Sequence, residues 1–278
     1  MADRLSALEA GGEAEGAMRV TTLLYHDVVP GGAWESSGFC SPGAGRYKLD
    51  RREFAAHLRA IAESIPARPS LVSDLALPDF VPRLLLTFDD GGVSAHAIIA
   101  DLLEAQGWRG HFFVTAQFIG APGFLTKAHI RDLRRRGHVI GSHSYSHPDP
   151  MAKLPRDVLV EEWTNSAHLL ADILGEPITV ASVPGGYYSR TVARAAAVVG
   201  ITTLFNSEPV THSLQVGQCL VLGRYTLMRG MPPTVAADLA AARPTACAQQ
   251  WLVWNSKGLL KVLGGELYLR VRNRMAAR

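Results

Sequence analysis

The stretch RLLLTFDDGG, residues 83–92, decides the fold and the position of the site. A short, continuous apolar run leads directly into two adjacent acids, Asp89 and Asp90, and then into two glycines. Such a run is typical of a parallel strand that is covered on both faces. A helix cap accounts for one acid but not for two that repel each other. The stretch therefore predicts a buried strand that delivers two carboxylates to one edge of a sheet.

Strand-like runs and helical segments alternate along most of the chain. Strands are predicted at RVTTLLY, RLLLTF, GHFFVT, HVIGS, ITVASV, ITTLF and CLVLGRY. Asp50 and Glu53 have the spacing of a capping box, which predicts that a helix begins there. The alternation implies parallel strands joined by right-handed crossovers. We expect an α/β fold, a closed or nearly closed βα barrel of about seven units in a single domain over 18–278, with a helical tail from about 244 and a disordered extension at 1–17.

Composition and charge exclude several classes of protein. The net charge of +3 is too small to indicate a nucleic-acid partner. Residues 257–278 hold six Lys and Arg against one Glu, which makes this tail locally +5. The tail is either a solvated helix face or a peripheral contact with an acidic membrane. The three cysteines have no CxxC spacing, which argues against a disulfide framework and a thiolate zinc site. With no secretory pattern and no apolar run of about 18 residues, we expect a cytoplasmic protein.

Polar residues follow several of the predicted strands. Ligand sites of α/β proteins lie at the carboxyl ends of the strands. The polar residues at those ends are His26, Asp89, Asp90, His143, His147 and Arg224. Taken singly, an aspartate is most often a helix cap and a histidine an ordinary polar residue. One aspartate with two histidines four residues apart forms the ligand set of zinc or a similar divalent ion, with positions left open. The neighbouring carboxylate could take a proton from a water whose pKa the metal lowers toward about 7, which predicts metal-assisted hydrolysis.

Two motifs resemble those of a known family. TFDDG (87–91) and HSYSH (143–147) are similar to the first two motifs of the polysaccharide deacetylases, the NodB homology or carbohydrate esterase family 4 domain. The likeness covers roughly residues 20–230 and implies a distorted (β/α)7 barrel and metal-dependent removal of N-acetyl groups from sugars. It also implies that Asp89 is the catalytic base and that Asp90, His143 and His147 bind the metal. Zn²⁺ suits these ligands best, and Co²⁺, Ni²⁺ or Fe²⁺ would also fit.

The later family motifs are altered in this chain. Val183 stands where the third motif has the arginine that holds the catalytic aspartate, FNSEP (205–209) replaces the fourth motif, and VLGRYTL has no histidine where the fifth supplies the general acid. We hypothesise that Arg224 restrains Asp89 instead and that His26 is the acid, with His212 a weaker candidate. The backbone N–H groups considered for oxyanion binding belong to Gly186, Tyr187 and Tyr188.

The expected function is removal of an N-acetyl group from an amino sugar or from a glycan or glycoconjugate precursor. The first alternative is a hydrolase of the same fold that acts on a non-sugar amide or a cyclic imide, since the third to fifth motifs are altered. The second is a non-catalytic carbohydrate-binding relative. The sequence predicts neither the individual substrate nor the oligomeric state.

Overall fold

A computed structural model describes residues 18–76 and 83–256. The described residues form a nine-stranded main sheet and a small two-stranded sheet. The strands are Val20–Tyr25 (β1), Val28–Val29 (β2), Leu49–Asp50 (β3), Arg83–Phe88 (β4), His111–Val114 (β5), Val139–Ser142 (β6), Val180–Ser182 (β7), Thr203–Phe205 (β8), Leu214–Val216 (β9), Cys219–Leu222 (β10) and Tyr225–Thr226 (β11). The small sheet consists of β2 and β3. The helices are Pro42–Gly45 (α1), Arg51–Ser64 (α2), Ala100–Glu104 (α3), Lys127–Arg135 (α4), Arg156–Leu174 (α5), Arg190–Val198 (α6), Pro233–Ala240 (α7) and 244–256 (α8). Short 3₁₀ turns lie at Val72–Ala76, Ala116–Phe118, Met151–Lys153 and Pro184–Gly186, and a π-helical turn at Ala95–Ile99 precedes α3.

The main sheet curls into the predicted barrel. Its strand order is β11-β1-β4-β5-β6-β7-β8-β10-β9, and every neighbouring pair is parallel except β9 with β10. Only Gly223 and Arg224 separate β10 from β11 along the chain, although the two strands pair near opposite ends of this order. The sheet must therefore bend round until its two ends meet. The fold is a distorted (β/α)7 barrel, as the sequence predicts.

The predicted seventh strand is two strands, and this differs from the expectation. The run CLVLGRY predicts one element, but β10 pairs with β8 and β11 pairs with β1. The interruption falls at Gly223, where a Cβ atom would lie 2.3 Å from the carbonyl oxygen of Glu208. Glycine is thus required where the chain passes from one end of the sheet to the other. The short antiparallel strand β9 was not predicted.

Alternate residues of the strands face two separate apolar cores. Leu84 and Leu86 pack in the large core between the sheet and the helices, together with the fully buried Trp163 of α5. Leu85 points to the opposite face and packs with Phe113 and Phe205 in a smaller cluster inside the barrel. This alternation is the period of two expected of strands. Because the strands are parallel, the polar groups that follow them lie at the mouth of the barrel.

Local predictions for the helices are confirmed where the structure describes them. The Asp50 side chain accepts from the N–H of Arg52, and the reciprocal capping-box bond to Glu53 is present. The helix predicted over about 155–174 spans Arg156–Leu174. No helix in 18–76 or 83–256 combines the length and apolar character that a membrane span needs. The proposed extension at 1–17 and the basic tail at 257–278 lie outside the described residues, so the domain boundaries and the membrane contact stay predictions.

Candidate active site

The loop after β4 places Asp89 and Asp90 at the mouth of the barrel. The N–H of Asp89 donates to the carbonyl oxygen of Tyr25, which continues the pairing with β1 for one more residue. Asp90 then turns into the left-handed region at φ +77°, and Gly91 follows at φ +80°. A Cβ on Gly91 would lie 3.1 Å from the Cα of Val114, so the glycine lets this turn pack closely on β5. The turn separates the two carboxylates, which consequently meet different partners.

Asp90 faces the two histidines of the HSYSH stretch. Its Oδ1 lies 3.5 Å from Nε2 of His143 and 3.6 Å from Nε2 of His147. These distances exceed normal hydrogen bonds, so the three atoms converge without being bonded to one another. Two nitrogen or oxygen ligands of one tetrahedral zinc ion are about 3.4 Å apart. The set therefore fits a divalent cation, and its three ligand atoms all lie within 4.8 Å of one another.

Hydrogen bonds and protonation also suit this set to a cation. Nδ1 of His143 lies 2.6 Å from the Ser182 hydroxyl and 3.1 Å from its carbonyl oxygen, a pattern that assigns the proton to Nδ1 and leaves Nε2 free to bind. Burial, and then the charge of His143, lower the pKa of His147 and favour a neutral ring. Burial raises the pKa of Asp90, but the facing His143, His26 and His147 outweigh it and hold the pKa well below its ordinary value. An ionised Asp90 and a neutral His147 are the forms that bind a metal ion.

Asp89 is buried and faces an arginine. Arg224 is fully buried and donates from Nη1 to Oδ1 of Asp89 at 2.7 Å and from Nη2 to Oδ2 at 2.8 Å. Its Nε donates to the carbonyl oxygen of Asn206 at 2.7 Å, which orients the guanidinium plane. Burial raises the pKa of Asp89, but the charges of Arg224 and His143 outweigh it, and the net shift is downward. The carboxylate is therefore ionised and held in one orientation.

The structure adds supporting residues that sequence reasoning missed. The Ser182 hydroxyl donates to Oδ1 of Asp89 at 3.2 Å, so it connects that carboxylate to Nδ1 of His143. Glu162 on α5 accepts from the N–H groups of Tyr145 and Ser146 and from the Ser146 hydroxyl, which holds the HSYSH loop. Ser182 could have been noticed as a polar residue at a strand end. Glu162 carries no local signal, because its role depends on how α5 packs.

His26 lies at the same mouth of the barrel, after β1. Its Nδ1 is buried and has no hydrogen-bond partner among the described residues, and its ring packs against Tyr47 at 4.8 Å between centroids. Its charge lowers the pKa of both Asp89 and Asp90, so it is close to both. The weaker candidate, His212, lies elsewhere: it forms a β-bridge with Arg19, the residue before β1, at the amino end of the barrel. The structure therefore brings His26, and not His212, toward the carboxylates.

The loop after β7 offers fewer free donors than expected. The N–H of Gly186 donates to the carbonyl oxygen of Val183, and the N–H of Tyr188 donates to that of Gly186. Both groups are engaged within the turn, so the oxyanion role predicted for them would need these bonds to break. The suggestion for Tyr187 stays a prediction. Val183, which stands where the third family motif has an arginine, is buried in the large core. As an apolar side chain it cannot hold Asp89 as that arginine would.

Comparisons with known proteins agree with this geometry. The sequence model of the family described as polysaccharide deacetylase matches residues 81–204. The protein YxkH of Bacillus subtilis is 22% identical over 79% of this chain and 75% of its own length. A chitin deacetylase of Arthroderma benhamiae is 34% identical over 41% of this chain, a stretch that spans 30% of that enzyme. The structure of IcaB from Ammonifex degensii superposes with a TM-score of 0.64 at 24% identity, covering 81% of this chain and 98% of that one, which shows a shared fold. The matched segment, slightly less than half of the chain, contains TFDDG and HSYSH, and over it the sequence is similar to the polysaccharide deacetylase family.

Proposed function

We propose that the protein is a metal-dependent hydrolase that removes the N-acetyl group from an amino sugar or a glycoconjugate precursor. The observation that carries this proposal is the different environment of the two adjacent acids. Asp90 faces His143 and His147, whereas Asp89 is held by Arg224. The segment 81–204 is also similar to the polysaccharide deacetylases, whose chemistry is sugar de-N-acetylation.

The proposed roles follow from these surroundings. Asp90, His143 and His147 would hold a divalent cation, Zn²⁺ by preference, and Co²⁺, Ni²⁺ or Fe²⁺ would suit the same ligands. Such a cation, when bound, polarises the amide carbonyl and acidifies water. Asp89 acts as the base that takes a proton from the attacking water, and Arg224 keeps it ionised and oriented.

His26 is the proposed general acid. A departing amine needs a proton, and the unpartnered Nδ1 of His26 lies in a buried position close to both carboxylates. In the variant His26→Ala we expect kcat to fall by about a hundredfold and the alkaline limb of the pH–rate profile to disappear. An unchanged profile would remove His26 from the mechanism.

The decisive experiment measures acetate release from a panel of N-acetylated sugars. The protein is stripped with a chelator and reloaded with each divalent metal in turn. Asp89→Asn should lower kcat by about a hundredfold or more, because it removes the base and keeps the shape. Asp172→Asn, an exposed change on α5, is the matched control. Full activity of Asp89→Asn would contradict the mechanism.

Because the third to fifth motifs are altered, the same assay also tests the two alternative functions. The panel includes linear amides and cyclic imides beside the sugars. Hydrolysis of those compounds with no acetate from any sugar would identify a non-sugar amide hydrolase of this fold. Metal-dependent sugar binding without turnover of any compound would identify the non-catalytic relative.

A further inference from the structure

A second polar cavity lies beside the candidate active site. It has a volume of about 250 Å³ and is lined by Arg46, Tyr47, Met228 and Arg229. Met228 and Arg229 follow β11, and the N–H of Arg229 donates to the carbonyl oxygen of Arg46 at 3.0 Å, so the two arginines are joined through the backbone. The cavity therefore brings two cationic side chains to one recess at the mouth of the barrel.

The recess adjoins the catalytic groups through His26 and Tyr47. Tyr47 lines the cavity on one side and packs on the His26 ring at 4.8 Å. Strand β1 lies directly between β11, which leads to Arg229, and β4, which leads to Asp89. A substrate with its amide at the carboxylate pair would therefore extend toward this recess.

The two arginines make no direct ion pair with an acidic side chain among the described residues. The acid that lies beside this segment, Glu53, has both oxygens engaged by the N–H groups of Asp50 and Gly230. Two like charges on a concave surface favour an anion between them. Arginine is also the side chain whose planar fork matches phosphate and carboxylate.

Trp34 holds one of the two arginines in place. The guanidinium carbon of Arg229 lies 4.3 Å from the centroid of the Trp34 ring, within the range of a cation–π contact. Trp34 is itself tied to the body of the protein, because its carbonyl oxygen accepts from the buried ammonium of Lys48. An exposed arginine stacked in this way loses less conformational freedom when it binds an anion. Such a restraint distinguishes Arg229 from a freely solvated surface cation.

We propose that the cavity lined by Arg46 and Arg229 is an anion subsite, and that the substrate is an N-acetylated sugar that carries a phosphate or a carboxylate group. The inference rests on the proposed function and narrows its substrate class. It predicts that uncharged N-acetylated sugars are the poorer substrates.

The first test compares kcat/KM for N-acetylglucosamine with that for N-acetylglucosamine 1-phosphate, its 6-phosphate and N-acetylmuramic acid. We expect at least one charged sugar to exceed the neutral one by tenfold or more, and the phosphate and carboxylate arms identify which anion is used. In the double variant Arg46→Gln/Arg229→Gln the ratio of charged to neutral kcat/KM should fall at least tenfold. Arg194→Gln, an exposed change on α6, should keep the ratio. A neutral sugar that is used as well as every charged one would overturn the inference.

The second test separates this inference from the proposed function. Binding of pyrophosphate and of glucose 1-phosphate, neither of which has an acetyl group, is measured by calorimetry on the wild type and on the same variants. We expect binding that the double variant loses and Arg194→Gln retains. Equal binding by wild type and double variant would refute the subsite even if neutral sugars are deacetylated. Arginine-dependent binding with no acetate from any sugar would leave the subsite standing and refute the deacetylase.

Discussion

Replacement of Arg224 tests how the buried aspartate is held. In Arg224→Met the guanidinium that donates twice to Asp89 is gone, and the carboxylate remains buried at 5% exposure without its main partner. Removing one member of a buried ion pair costs about 3–5 kcal/mol of the free energy of unfolding. The carbonyl oxygen of Asn206 also loses its donor. We therefore expect a loss in this range at pH 7, together with a large fall in kcat.

A double-mutant cycle with Asp89→Asn isolates the pair. The asparagine amide at position 89 carries no charge and does not need the arginine. The loss of unfolding free energy in the double variant Arg224→Met/Asp89→Asn should therefore be about 1–3 kcal/mol smaller than the two single losses added together. Arg224→Lys, which restores the charge without the planar fork, should recover part of the stability and less of the rate. Urea unfolding in the presence of a chelator and acetate release measure the two effects. Arg194→Met is the exposed control, with an expected change within about 0.5 kcal/mol.

The pH dependence of this variant has a defined sign. Burial raises the pKa of Asp89 and Arg224 lowers it, so the pKa is higher without the arginine than in the wild type. The variant then takes up its proton at a higher pH than the wild type does. The stability gap between them should be largest near neutral pH and should narrow as the pH falls through the raised pKa. A variant that unfolds within 1 kcal/mol of wild type at pH 7 and keeps its rate would refute this account of Arg224.

Three further predictions concern other parts of the molecule. Zn²⁺ should stabilise the chelated protein against unfolding by about 2.7 kcal/mol at a concentration one hundred times its Kd, and His147→Ala should lose this effect, because it removes one of three ligands. Gly92→Ala should destabilise by about 1–3 kcal/mol or more in urea unfolding, because the new methyl group would lie 2.0 Å from Oδ1 of the buried Asp27. Burial lowers the pKa of His111 to about 4. The neutral ring also accepts a hydrogen bond at Nε2 from the N–H of Val72. The neutral ring makes its full contribution to the free energy of unfolding above pH about 6.5. About 3 kcal/mol of that free energy is lost as the pH falls to about 4. His111→Asn should therefore flatten this part of the stability–pH curve.

Each of these predictions has a contradicting result. An equal Zn²⁺ shift in His147→Ala would place the cation elsewhere. A Gly92→Ala protein as stable as Gly45→Ala, a helical glycine of α1 with nothing within 4 Å of its added Cβ, would show that the loop around Asp27 yields easily. If the free energy of unfolding falls equally steeply between pH 6.5 and pH 4 in wild type and in His111→Asn, other groups cause the acid destabilisation.

Local signals in the sequence determined the barrel class and the candidate metal-ligand set. The apolar run before Asp89 and Asp90 specifies a strand covered on both faces, and strand–helix alternation specifies parallel neighbours. In such a sheet all carboxyl ends lie at one edge, so residues that follow different strands must meet there. One of the two adjacent aspartates, His143 and His147 are predicted together for this reason, although about 50 residues separate the first motif from the second. Within the sequence, only the family resemblance assigns the ligand role to Asp90.

The tertiary structure alone decided which groups surround Asp89 and what lies beside the site. The bond from Arg224 to Asp89 spans 135 residues and exists because the chain passes from β10 to β11 at Gly223 and closes the barrel. No local pattern encodes that closure, and CLVLGRY is indistinguishable from one continuous strand. Ser182, Glu162 and the recess between Arg46 and Arg229 likewise depend on segments brought together from distant parts of the chain. The residue types that bind a metal are a property of the sequence, whereas the partners that orient and charge them are a property of how the sheet closes.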